Sequence, residues 1–158
     1  MIVIFTSKQI LDREELLSFQ CQDENEDVSI NVIHHTVAAL EKNHKVAVLT
    51  TCEDKGHELA GSTWVFHLKE GVVIDGNLTN EITKIMREAD VCISIGCLLV
   101  EKPFVDVIKE INEDAKLYVC YHVDGGNKLP RTKNVISAFR SSCRYFLDDA
   151  FLEIIKHL

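Results

Sequence analysis

Apolar runs that alternate with helical segments along the chain predict an α/β fold: three layers, a parallel sheet with helices on both faces, and a single compact domain over residues 1–158. Two observations carry this. The run Asp90-Val91-Cys92-Ile93-Ser94-Ile95-Gly96 is almost continuously apolar and stops at glycine, the pattern of a strand covered on both sides. Segments with apolar residues at helical spacing fall between it and similar runs. A parallel sheet needs such crossovers, so the order of elements and the character of the strands agree.

Ile2-Val3-Ile4-Phe5 predicts the first strand. Over residues 12–28, Leu16, Leu17 and Phe19 predict a short helix. The stretch 20–29, with Asp23, Glu24, Glu26 and Asp27, reads as a solvated acidic loop. From Ile30 to Leu40, Val32, Ile33, Val37 and Leu40 recur at helical spacing and predict a surface helix with one buried face. Lys45–Thr50 and Thr63–Leu68 are β-rich, and the polar segment Thr51–Gly61 between them reads as a loop or helical turn. Val72-Val73-Ile74 predicts a brief strand. Thr79–Ala89 predicts a helix capped by Thr79, with Ile82, Ile85 and Met86 inward. Pro103 is expected to open a helix reaching residue 113. Leu117–Val123 predicts a strand ended by the turn Asp124-Gly125-Gly126-Asn127. A short helix at Val135–Phe139, a short strand at Arg144–Leu147 and a helix at Phe151–Leu158 are expected to complete the chain.

Composition removes several classes of function. The chain is 46% apolar and 27% charged over 158 residues, enough for one domain with a real core. Scarce Gly (7) and Pro (2) argue against long disordered stretches. Acidic residues outnumber basic ones 25 to 17, for a net charge of −8, and no Lys/Arg cluster breaks that balance. No nucleic-acid partner and no anionic membrane surface is expected. Cys21, Cys52, Cys92, Cys97, Cys120 and Cys143 contain no Cys-x-x-Cys pair and find no matching histidines. No metal is therefore expected, and the cysteines read as buried free thiols. Without a leader-like start or an 18-residue apolar run, the chain reads as intracellular, cytoplasmic or nuclear.

Four blocks in order carry a more specific pattern. Asn31-Val32-Ile33-His34 leads through Leu40 into Lys45-Val46. The stretch from Thr50 to Ser62 keeps Thr50, Asp54, His57, Ala60, Gly61 and Ser62. Ala89-Asp90 runs through Gly96 and Leu99 to Pro103, and Arg144 to Leu158 closes the chain. Together they resemble the sirtuins, NAD-dependent protein deacylases built on a Rossmann-like large domain. In that family the second block reads Thr-Gln-Asn-Ile-Asp-Gly-Leu-His, then two variable residues, then Ala-Gly-Ser. The resemblance implies a Rossmann-like sheet and, in an active member, an NAD site at the strand ends.

The departures from the family pattern fall on that site. The family's Thr-Gly-Ala-Gly-Ile-Ser after the first strand is here Thr6-Ser7-Lys8-Gln9-Ile10, with no glycine to let backbone approach a pyrophosphate. The family's Gln and Asn are Thr51 and Cys52, which lack an amide's donor-plus-acceptor pattern. Aligning Val65 and Leu68 places Lys69 where the family has its general-base histidine, and a lysine ammonium is a poor base. In the Gly-Thr-Ser-Leu turn, Cys97 and Leu98 replace both hydroxyls, and Tyr121 replaces the Asn that ends the next strand. No zinc module follows Lys69.

The resemblance with these changes implies a catalytically inactive, sirtuin-like domain. It would serve as a structural or interaction subunit, without cofactor, and bind a protein partner or a second copy of itself. The alternative is a divergent NAD-consuming deacylase or hydrolase, or a sensor of NAD or ADP-ribose. It would use His57, Asp54, His67 and Lys69 for chemistry and Thr6, Thr51, Cys52, Asp54, Gly96 and Cys97 for the cofactor. His67 and Lys69 would share a strand face if that strand continued. A third reading, a nucleotide- or flavin-binding accessory subunit, rests on fold analogy alone.

Overall fold

The computed structural model describes residues 1–7, 30, 32–68, 76–97, 99–100, 102–122, 135–141 and 146–158. Ile2–Thr6 forms β1, and every residue of it is buried. A strand so apolar belongs in the middle of a covered sheet, and β1 does lie there. It pairs in parallel with β2 (Val46–Thr50) on one side and β4 (Val91–Ile95) on the other. Beyond β2 lies β3 (Val65–His67), and beyond β4 lie β5 (Lys116–His122) and β6 (Val135–Ser141). The sheet order is β3-β2-β1-β4-β5-β6, parallel throughout.

Alternate strand residues feed two cores. On one face Ile2, Ile4, Val46, Val48, Ile93 and Ile95 pack with Ile33 and Val37 of helix α1 (Val32–Leu40) and with Phe151 and Ile154 of helix α5 (Phe146–Ile155). On the other face Val3, Phe5, Ala47, Leu49, Cys92, Leu117 and Val119 pack with Ile82, Ile85 and Met86 of helix α3 (Gly76–Glu88). Phe104 of the short helix α4 (Phe104–Val107) closes that core edge-to-face on Phe5, with ring centroids 5.9 Å apart. Each such large side chain is worth roughly 1.5–3 kcal/mol of apolar burial. A helix of one turn, α2 (Gly56–Leu59), interrupts the connection from β2 to β3. The sequence segments read as strands at 2–5, 45–50, 90–96 and 117–123 and as a helix at 30–40 are all present, to within a residue or two at their ends.

Four elements depart from expectation. Val135–Phe139 is strand β6, not a helix. Its β-branched and aromatic residues fit a pleated surface, and pairing with β5 supplies hydrogen bonds that so short a helix could not match. At the chain end, Phe146 and Leu147 begin α5 and are not in a strand. Leu147, Phe151 and Ile154 share one helical stripe, and that period overrides the local β preference. The expected helix over 103–113 ends after one α turn and a 3-10 turn at Ile108–Glu110. There the Asn112 N–H donates to the Met86 carbonyl at 3.0 Å, drawing the chain toward the end of α3. Helix α3 starts at Gly76, so Thr79 lies inside it and does not cap it. The helix and acidic loop expected within 12–29, the strand at Val72–Ile74 and the turn at Asp124–Asn127 lie outside the described residues.

Candidate functional site at the strand ends

Parallel register brings the carboxyl ends of the strands level. Thr6 stands opposite Thr50 and Ile95, and Thr50 stands opposite His67. From β1 the chain first builds outward through β2 and β3, then returns to add β4, β5 and β6 on the other side. Open parallel sheets bind ligands at such a reversal, outside the strands' carboxyl ends. The predicted site residues therefore had to be gathered from separate loops, and the sheet order does this.

On the β1–β2 side the polar side chains bond to one another. Thr6 and Ser7 are buried completely. The Thr6 hydroxyl lies 3.3 Å from His57 Nε2, and Thr51 donates to the Ser7 hydroxyl at 3.2 Å. The Cys52 N–H donates to the Thr50 hydroxyl at 3.0 Å. The Asp54 carboxylate accepts the Gly56 N–H at 2.8 Å, a turn that starts α2. A Cβ at Gly56 would sit 2.9 Å from both Asp54 Oδ1 and His34 Nε2, so any larger residue there requires those side chains to shift.

Three histidines stand around this turn. His34, from α1, and His57, from α2, are buried and meet edge-to-face with ring centroids 4.5 Å apart. Burial, then the nearby His34 and His67, hold His57 down to about 3. Burial also lowers His34, outweighing the attraction of Asp54. His67, at the end of β3, differs. Its Nδ1 lies 2.7 Å from the Cys52 carbonyl and its Nε2 2.7 Å from Glu58 Oε1. Both neighbours only accept, so both ring nitrogens donate and the imidazolium is the form that fits. Partial burial opposes this charge, but Glu58 and the Cys52 carbonyl together raise the His67 pKa above its ordinary value.

Asp54, His57, His67, Thr6, Thr51 and Cys52 thus come into one cluster. Glu58 belongs to it and was not anticipated: nothing in the spacing of Glu58 and His67 marks them as partners, since one lies on a helical turn and the other on a strand. Lys69 lies outside the described residues, and β3 ends at His67. Gly96 and Cys97 sit at the end of β4. The Gly96 N–H donates to the Cys120 carbonyl at 2.8 Å, and its φ of 65° is one glycine adopts without strain. The Cys97 thiol is buried, donates weakly to the Ile95 carbonyl at 3.4 Å, and is pushed far up by burial.

The expectation of free thiols holds for Cys92, Cys97 and Cys120. It fails for Cys52, which is disulfide-bonded. Single-sequence spacing could not reveal this, because a long-range pairing depends on where the tertiary fold places two loops. Among the described residues no group of side chains could hold a metal ion, and no helix is long and apolar enough to cross a membrane.

The arrangement of sheet, helices and strand-end loops can be compared with known proteins. The chain superimposes on a solved Sir2 structure described as the structural basis for the mechanism and regulation of Sir2 enzymes, with TM-score 0.66, 16% identity, and coverage of 99% of this chain and 92% of that one. The fold is sirtuin-like. A Sir2–p53 peptide–NAD+ structure matches at TM-score 0.65 and 15% identity, covering 99% of this chain and 94% of that one. A Sir2 structure bound to acetylated peptide matches at 0.66 and 14%, covering 99% and 92%. No family model and no curated protein matches the chain. The sirtuin-like likeness is therefore one of backbone architecture, a compact Rossmann-like α/β sheet. It extends over nearly the whole chain and is not confined to the blocks of matching sequence.

Proposed function

We propose that this sirtuin-like domain is catalytically inactive and serves as a structural or protein–protein interaction subunit. One observation carries the reading: at the β1–β2 strand ends the polar side chains spend their hydrogen bonds on one another. Thr6 is bonded to His57, Ser7 to Thr51, and Thr50 to the Cys52 backbone. Cys52 Sγ is held in a disulfide. These residues do not fit a dinucleotide, whose ribose and phosphate oxygens need donors and acceptors that are free to turn outward.

The general-base role fares no better. His67 presents N–H groups to a carboxylate and a carbonyl, so it has no lone pair to take a proton. His57 is neutral, but it is buried against Thr6 and His34, with little solvent access. A base must reach the proton it removes. What remains intact is the scaffold, with both cores filled.

Thermal unfolding with NAD and with ADP-ribose tests this. Free ligand at about 100 times its Kd stabilises a protein by about 2.7 kcal/mol, which raises Tm by roughly 5–10 °C at this chain length. The proposal expects no shift at millimolar ligand and no nicotinamide release. A dose-dependent rise with a Kd in the micromolar range or tighter would overturn it. The second reading, a divergent NAD-consuming enzyme or sensor, is favoured by Gly96, whose left-handed turn keeps backbone close to the point where the sheet order reverses. It expects nicotinamide release that disappears in His57→Ala.

A further inference from the structure

The strand-end cluster holds two titratable rings where there is room for little charge. His34 reaches in from α1 and His57 from α2, and their ring centroids are 4.5 Å apart. Both are almost wholly buried, at 4% and 3% exposed. His57 Nε2 is seated on the Thr6 hydroxyl at the end of β1, and a Cβ placed on Gly56 would meet His34 Nε2 at 2.9 Å. The charged and titratable groups that act on the pair come from each neighbouring element. They are His35 on α1, Asp54 on the loop after β2, Glu58 on α2 and His67 on β3. From β1 the contact is the Thr6 hydroxyl. Glu58 Oε1 is taken by His67, while its second oxygen, Oε2, is buried without a hydrogen-bond partner, so this carboxylate faces the pair as well. Asp54 is engaged by the Gly56 N–H.

Two cations at this separation in a buried site repel strongly. We propose that the His34–His57 pair is an acid-sensitive latch: neutral rings hold α2 and its entry loop against the end of β1, and protonation is accommodated only when α2 moves away and the strand-end crevice opens. The latch holds whether or not the crevice takes a ligand, so its failure and that of the proposed function are separate results.

The size of the effect follows from linkage. Burial holds both rings below their ordinary range in the closed form, His57 down to about 3. In the open form each ring regains its ordinary value of about 6.5. Between pH 7.5 and 5.5, a ring that cannot be protonated when closed raises the open population about tenfold. Amides that report opening are those of Leu59, Ala60, Gly61 and Ser62, which close α2 onto the carbonyls of Lys55, Gly56, Glu58 and His57.

Hydrogen exchange read by mass spectrometry at both pH values, corrected for intrinsic rates, tests the latch. The wild-type chain should lose at least about tenfold protection over 56–62 at pH 5.5, with β4 (91–95) unchanged. His57→Gln should lose much less, because its amide can still meet Thr6 but does not titrate. Equal protection at both pH values in the wild type, or an equally steep loss in His57→Gln, would overturn the proposal. Should that variant not fold, ring-carbon NMR of the wild type decides: a His57 ring still neutral at pH 5.5 supports the latch, and one titrating at or above pH 6 overturns it.

Discussion

Replacing Glu58 by glutamine isolates the charge of the His67–Glu58 pair. Glu58 Oε1 lies 2.7 Å from His67 Nε2, and the side chains are 36% and 28% exposed. A hydrogen bond to a charged group contributes about 1.5–3 kcal/mol when buried, and exposure of about a third brings this toward 1 kcal/mol. Glutamine keeps an acceptor of similar shape but removes the charge. The sign follows from the raised His67 pKa. Stability from a group whose folded value lies above its unfolded one is fully present below about pH 6.5 and is lost as pH rises through the folded value. Glu58→Gln should therefore cost about 1 kcal/mol at pH 6 and close to nothing at pH 9. Urea unfolding at the two pH values measures it. Trp64 is a convenient reporter, being the only tryptophan and 6.0 Å, centroid to centroid, from the Phe66 ring on β3. An equal loss at both pH values would show that the pair acts through packing and not through charge, and would refute the imidazolium assignment.

Other outcomes follow from the same geometry. Gly56→Ala should destabilise by roughly 1–3 kcal/mol, since its Cβ would sit 2.9 Å from Asp54 and from His34; a chemical melt within 0.5 kcal/mol of wild type, roughly experimental error, would contradict it. Phe104→Ala should cost about 3–5 kcal/mol, because Phe104 is fully buried against Phe5, and thermal unfolding would show a correspondingly lower Tm. A thiol reductant should lower stability by about 2–4 kcal/mol through the Cys52 disulfide. Cys52→Ser should show the same loss without reductant and no further response to it.

Legibility varied with how local the cause was. β1, β2, β4 and β5 could be read because each contains a continuous run of mostly apolar residues, the pattern of a covered parallel strand. Helix α1 could be read from Ile33, Val37 and Leu40, which share one buried face. β6 could not, since Val135 to Phe139 is too short for its period to separate strand from helix, and its hydrogen bonds come from β5. The start of α5 was hidden for a related reason: Tyr145-Phe146-Leu147 prefers strand locally, but no neighbouring strand claims Phe146 and Leu147. At the site, Thr6, Asp54, His57 and His67 were legible as candidates. Their roles were not, because a histidine's function depends on what its nitrogens touch.

The sequence by itself determined the class of fold. Residue types and short periodicities suffice for that, because strand and helix character and backbone permissiveness are local properties. Only the tertiary structure decided that β1 lies at the centre with β2 and β4 beside it, and so that Thr6 meets His57 across 51 positions of sequence. It also decided that burial lowers the pKa of His34 and His57 while Glu58 and the Cys52 carbonyl raise that of His67 against its burial, and neither cause is written in any single stretch of chain.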